Sequence, residues 1–270
     1  MEEYNLIIEE LKKPTEKVDW KYIEKTLPEI KINTLNPSGE NLLFLFSSCK
    51  APILIYSKAL DLGINPNQKN SRYGRTCAFY IKDIRVLELL VKYGLNINHL
   101  DDSGWTFAHY NINNFDILSF AMNSGLDISI KNKLGRNIMF TLIEDVRQND
   151  FEKYLQILID FGADINIKDK FGITPIHYSV IVSNISALSA LANNLADTKI
   201  PLSEDFMWEY GGEPNINLKK GTTIFDTVKS FGNWTKNITD NIGGEWVDEK
   251  KEDYSNYRRI LKIKKKWWKF

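Results

Sequence analysis

Apolar residues recur at spacings of three and four in short runs along most of the chain, the signature of amphipathic helices packed on one side. Three runs are well marked, VLELLVKYG (86–94), DILSFAMNSG (116–125) and YLQILIDFG (154–162), and each is closed by a glycine. Near the start, Tyr4, Ile7, Ile8 and Leu11 define one helix face, Pro14 ends that helix, and Asp19 is placed to cap a second one carrying Tyr22, Ile23 and Leu27. The glycines fall into two series. Gly63, Gly94, Gly125 and Gly162 close helices, and Gly39, Gly74, Gly104, Gly135, Gly172 and Gly221 precede the next helix. A helix terminus of this kind and a tight turn both call for a left-handed residue, which glycine supplies without a Cβ clash.

The closing series advances in steps of 31, 31 and 37 residues, so the chain is an internal repeat. Its fullest copy is GADINIKDKFGITPIHY (162–178), with weaker copies beginning at Gly63, Gly94 and Gly125. Thr174-Pro175-Ile176-His177 resembles the T-P-L-H signature of ankyrin repeats, whose period is about 33 residues. The resemblance spans roughly residues 20–232 and is closest to the short-repeat bacterial and phage type. It implies an all-α ankyrin-repeat solenoid with short β-hairpin-like fingers, a helical N-terminal cap and an elaborated C-terminal cap. Residues 1–38 read as the N-terminal cap, and 39–200 as five repeats beginning at Gly39, Gly74, Gly104, Gly135 and Gly172. Residues 201–270 read as an irregular insert, a degenerate sixth repeat with Thr223 and Asp226 in place of Thr174 and His177, and a closing helix. The intervals Thr76–Gly94 and Thr106–Gly125 are short, which predicts abbreviated or 3₁₀ inner helices there. EDVRQND (144–150) adds a loop.

Composition narrows the function classes. Thirty-five basic and 35 acidic residues balance, which argues against a general nucleic-acid binder. Cys49 and Cys77 fall in different repeats and read as buried thiols rather than a disulfide. No Cys/His spacing suggests a metal, and no cofactor is implied. The N-terminus lacks a signal-peptide pattern, and no apolar run reaches membrane-span length, so the chain reads as cytoplasmic with no membrane span. Its oligomeric state is open.

Candidate chemistry is sparse. His109 and His177 recur at one repeat position, on separate layers, which fits a hydrogen bond tying helix starts together rather than catalysis. His99 reads as exposed or turn-bonded, and Asp101-Asp102 as solvated loop carboxylates. Gly211-Gly212 and Gly243-Gly244 lack a phosphate-loop lysine. The resemblance implies recognition instead. In that family the residue after the histidine position faces a concave groove, here Leu45, Tyr80, Tyr110, Thr141, Tyr178 and Thr227. These tyrosines either line a binding stripe or pack on their neighbours. Finger tips carry Tyr73, Arg75, Leu100, Trp105, Leu134, Arg136 and Phe171, apolar and arginine residues suited to an interface. Trp208 sits in the acidic, aromatic insert. The expected role is a non-catalytic module that binds another protein and blocks or recruits it, in the manner of an immunity, effector or counter-defence inhibitor. Two alternatives remain: an enzyme with a site at 193–250, tested first at Trp208, Glu209 and Asp248, or nucleic-acid binding by the basic aromatic tail from Lys262 to Lys269.

Overall fold

The computed structural model describes residues 2–145, 150–182, 184–194, 196–210, 213–224 and 226, with the backbone alone at 207–210 and 213–217. The chain forms two compact units, residues 1–170 and 171–270. In the first unit, α1 (Glu2–Leu11) and α2 (Trp20–Thr26) pack together. Tyr4, Ile7, Leu11 and Ile23 are buried, and Asp19 caps α2 by accepting the Tyr22 amide at 3.0 Å.

Two rows of helices follow. The inner row is α3 (Leu42–Ser48), a 3₁₀ turn at Cys77–Tyr80, α6 (Phe107–Tyr110) and α8 (Ile138–Asp145), each packed on the next. The outer row continues from α2 through α4 (Ile53–Asp61), α5 (Ile84–Lys92) and α7 (Phe115–Asn123), while α9 (Phe151–Asp160) packs on α8. The two shortened inner members are where the sequence intervals are short. Buried side chains concentrate between the rows, among them Leu43, Phe46, Leu87, Phe107, Leu118 and Leu155.

Between an outer helix and the next inner one the chain makes a finger. Each finger closes with an amide-to-carbonyl bond across the turn: Asn36 to Glu40, Asn70 to Arg75, Asp101 to Trp105 and Asn132 to Arg136, at 2.8–2.9 Å. Neighbouring fingers share single backbone bonds, Ser71 N–H to the Ser38 carbonyl, Asp102 to Tyr73 and Lys170 to Leu134. In the first unit, close approach distinguishes the helix-opening glycines from the helix-closing ones. A Cβ on Gly135 (φ +76°) would lie 2.9 Å from the Lys170 backbone nitrogen, whereas one on Gly125 (φ +91°) would meet nothing within 4 Å. The second glycine therefore answers only to its positive φ, and the first answers to both.

In the second unit, α10 (Pro175–Ile181) and α11 (Ile185–Asn193) pack together. Where the sequence suggests an irregular insert, β1 (Phe206–Tyr210) pairs antiparallel with β2 (Glu213–Leu218). The pairing runs from Phe206 opposite Leu218 to Trp208 opposite Ile216, and both Phe206 and Leu218 are buried. Two extended runs flanking Gly211-Gly212 form a hairpin pattern that the acidic character of the stretch obscures. The EDVRQND loop lies largely outside the described residues, as do Thr227, Asp248 and the expected closing helix.

Candidate functional site

The strongest constellation in the first unit starts from the fingers. The first residue of each finger, Asn36, Asn70, Asp101 or Asn132, turns its side-chain oxygen back to accept amides further round the turn. Either Asn or Asp can do this. Asp101 also has a second oxygen, used from both sides: Arg75 of the preceding finger donates Nε to Oδ2 at 3.1 Å, and the Tyr110 hydroxyl of the following inner helix donates to it at 2.9 Å. Asp101 is therefore buried, not the solvated loop carboxylate its sequence context suggests. The same exchange recurs two fingers later, where Arg136 Nε meets Asp169 Oδ2 at 3.0 Å. Arg136 is buried as a result, so its expected place on a solvent-facing tip is corrected.

Arg75 is the hub. Its guanidinium lies 4.7 Å from the Tyr73 ring and 4.1 Å from the Tyr110 ring, and its Nη2 donates to the Tyr110 hydroxyl at 2.5 Å. Burial first, then the hydrogen bond to Asp101, pushes the Tyr110 phenol up to about 12. The inner aromatic rings tie successive layers together: Tyr110 packs on Phe79 at 5.5 Å and Tyr80 on Phe44 at 6.0 Å. The packing reading of these two tyrosines holds, since each packs on its neighbour. Tyr80 nonetheless stays 39% exposed, while Tyr110 is only partly open.

The remaining expected residues divide. Leu100 and Leu134 are exposed, and Tyr73 and Trp105 partly so. Trp105 packs at a tilt against His109, ring centres 4.5 Å apart. In the second unit Phe171 packs against Phe206 at 5.3 Å. Tyr178 is fully buried and offers nothing to a groove; every residue of α10 is buried, as an apolar helix without a polar face requires. Thr141 is buried as well. The Trp208 and Glu209 side chains and the basic tail lie outside the described residues.

The histidines do structural work. His109 Nδ1 accepts the Thr106 amide at 3.1 Å and meets its hydroxyl at 2.9 Å, a capping box for α6. Burial drives the His109 pKa down to about 3, so the ring stays neutral. With Nδ1 engaged and no open approach, it cannot act as a general base. Thr174 and His177 repeat the hydroxyl contact at 2.7 Å, and Asp226 makes it with Thr223 at the same distance. His99 is turn-bonded, its Nε2 lying 2.6 Å from the Gly74 carbonyl oxygen. Both cysteines are free; Cys77 is buried and its thiol pushed up to about 12 by desolvation, while Cys49 is half-buried, against expectation, with its thiol donating to the Leu11 carbonyl. Among the described residues no His, Cys, Asp or Glu side chains group as metal ligands, and no helix is long and apolar enough to cross a membrane.

Sequence reading missed a ladder along the fingers. Asn33, Asn67 and Asn98 each donate Nδ2 to the carbonyl of a helix-closing glycine, Gly63, Gly94 and Gly125. Each also accepts, through Oδ1, the amide two residues beyond that glycine. The signal was an asparagine recurring in register with the glycines.

Stacked helix pairs joined by hydrogen-bonded fingers define a helical-repeat binding scaffold. A family profile described as ankyrin repeats (many copies) matches residues 147–192. A putative ankyrin repeat protein of fowlpox virus, FPV223, is 30% identical over 133 residues, covering 38% of this chain and 94% of that protein. A Rickettsia felis putative ankyrin repeat protein is 33% identical over 39% of the chain, and mimivirus L371 is 25% identical over 68%. The chain spans 50% and 27% of those two relatives' lengths. Among solved structures, the ankyrin repeat domain of Bcl-3 matches with a TM-score of 0.59 at 18% identity, covering 70% of this chain and 89% of that one. The ankyrin repeat protein EF0377 also gives 0.59, at 19% identity, with 69% and 97% covered. The chain belongs to the ankyrin-repeat family, whose repeats are protein-interaction modules and, as a rule, non-catalytic scaffolds.

Proposed function

We propose that this chain captures a partner protein on the face shared by its fingers and inner row, and blocks or recruits that partner. One observation carries the reading: aromatic and cationic groups are presented there already fixed. Arg75 is pinned by Asp101 and Tyr110, and Tyr80 is seated on Phe44 while remaining exposed. Side chains held this way lose little further entropy on association, the cost that most erodes interface affinity. Tyr, Trp and Arg are also the residue types that most often dominate binding energy. Exposed Leu100 and partly exposed Trp105 extend the same surface. A role as an immunity, effector or counter-defence inhibitor draws its support from the viral and bacterial origin of the relatives.

Partners retained by the immobilised chain should be compared between wild type, Tyr80→Ala, Leu100→Ala/Trp105→Ala and an outer-helix control, Glu88→Ala. A specific partner should form a complex of fixed stoichiometry. The groove-side variants should weaken it about tenfold or more, as truncating hot-spot residues does. Equal retention by all four proteins would overturn the reading.

A further inference from the structure

The inner row changes length along the first unit: α3 has 7 residues, the Cys77–Tyr80 turn 4, α6 4 and α8 8. The short members stop early, where the chain crosses to the outer row. A cavity of about 520 Å³ lies at that end, lined by the α3–α4 connection, the segment from Tyr80 to Val86 and the start of α7. Its floor is apolar, with Ala51, Ile81 and Val86 all buried.

Two cations line it without a carboxylate in ion-pair range among the described residues, Lys50 and Lys82. Arg85, by contrast, is already bound to Asp83 at 2.6 Å, and the other acid on the wall, Asp116, is exposed. Lys82 Nζ donates to Asn111 Oδ1 at 2.6 Å. Asn111 is buried and held by its own Nδ2 bond to the Phe107 carbonyl, so it presents that oxygen in a fixed direction. A neutral acceptor thus positions the ammonium while leaving its charge uncompensated. Desolvation accordingly lowers the Lys82 pKa from its ordinary value. Lys50 and Lys82 are exposed, and a charge beside buried apolar side chains favours a ligand carrying the opposite charge and its own apolar flanks.

We infer that this notch is a second docking site, which takes an acidic side chain flanked by apolar residues on an extended segment of a partner protein. Lys82 receives the carboxylate, with Lys50 beside it, and the flanking side chains cover Ala51, Ile81 and Val86. Tyr80 lines both this notch and the groove-side face, so one partner can engage the two surfaces together.

The test titrates the isotope-labelled full chain with acetyl-Leu-Glu-Leu-amide at millimolar concentration, monitored by amide chemical shifts. The Gln and Lys counterparts of the peptide and inorganic phosphate serve as comparisons. Shifts should map to Ile81–Val86 and Asn114, and the Glu peptide should bind about fivefold more tightly than the Gln peptide, the scale of a partly solvated ion pair. Lys82→Gln should erase that preference and Lys82→Arg should keep it. The Leu100→Ala/Trp105→Ala protein should keep it too, which separates this site from the groove-side reading. Absence of shifts at these amides, equal binding of the Glu and Gln peptides, or equal response to phosphate alone would overturn the inference.

Discussion

Replacing Asp101 with asparagine isolates one interaction with unusual clarity, because three other fingers already use Asn at this position. The substituted side chain retains an oxygen for the Ser103 and Trp105 amides, so the finger itself should hold. What disappears is the carboxylate oxygen serving Arg75 and Tyr110. The Asp101 side chain is 1% exposed and that of Arg75 19%, so the pair is largely shielded from water. A charge-assisted hydrogen bond contributes about 1.5–3 kcal/mol, and breaking a fully buried pair costs about 3–5. Partial exposure of Arg75 places the expected loss near the lower range, about 2–3 kcal/mol. Arg75→Met removes the cation while keeping the stem, and in that background Asp101→Asn should cost only about 1 kcal/mol, leaving a coupling of about 1.5. Urea unfolding of the four proteins, followed by far-ultraviolet circular dichroism and by tryptophan fluorescence, measures it. A coupling below about 0.3 kcal/mol, the ordinary additivity error, would refute the claim that an Arg–Asp exchange ties these two fingers.

Other parts of the fold give sharper contrasts in pairs. Gly125→Ala should cost about 1 kcal/mol through its positive φ alone, whereas Gly135→Ala should cost about 3, because its Cβ also displaces Lys170 from the Leu134 carbonyl; thermal melts compare the two. Asn67→Ala should lose about 1 kcal/mol with its two bonds to the next turn. Ser129, one repeat beyond Asn98, is too short to continue the ladder, so Ser129→Asn, donating to the Gly162 carbonyl and accepting from the Asp164 amide, should gain about 0.5 kcal/mol. Two titrations carry signs. Tyr110 has its folded pKa raised to about 12 from 10, so its contribution is full below pH 10 and lost as pH rises toward 12; Tyr110→Phe should remove that alkaline loss. His109 has its folded pKa lowered to about 3 from 6.5, so its contribution is full above pH 6.5 and lost as pH falls toward 3; His109→Gln should flatten that part of the acid limb in stability-versus-pH curves.

Period and punctuation made the scaffold legible in the sequence. Left-handed glycines, the Thr-x-x-His contacts and the shortened inner segments are all local requirements, and local requirements leave a residue-level mark. The hairpin at Phe206–Leu218 left a weaker one, since its alternation runs through acidic and aromatic residues alike. The burial of Tyr178 was harder to see. Position in the repeat places it with Tyr80 and Tyr110, but Ile176–Val182 offers no polar face to turn outward. Ser179, the one small polar residue near it, is buried and satisfied by the Ile176 carbonyl at 2.7 Å.

The finger position shows why part of a site stays hidden until layers are stacked. Within one repeat Asn and Asp serve the turn equally well, so nothing local separates Asp101 from Asn132. The distinction lies in the preceding finger: Arg75 stands before Asp101 and Arg136 before Asp169, while Glu40 stands before Asn70 and Trp105 before Asn132. An acid facing Glu40 would set two carboxylates against each other, and one facing Trp105 would be buried without a cation. Each finger therefore carries a charge only where the layer beneath supplies its complement. The groove-side cluster of Tyr73, Arg75 and Tyr110 is a product of that pairing, because the charge on Asp101 is what holds the guanidinium between the two rings.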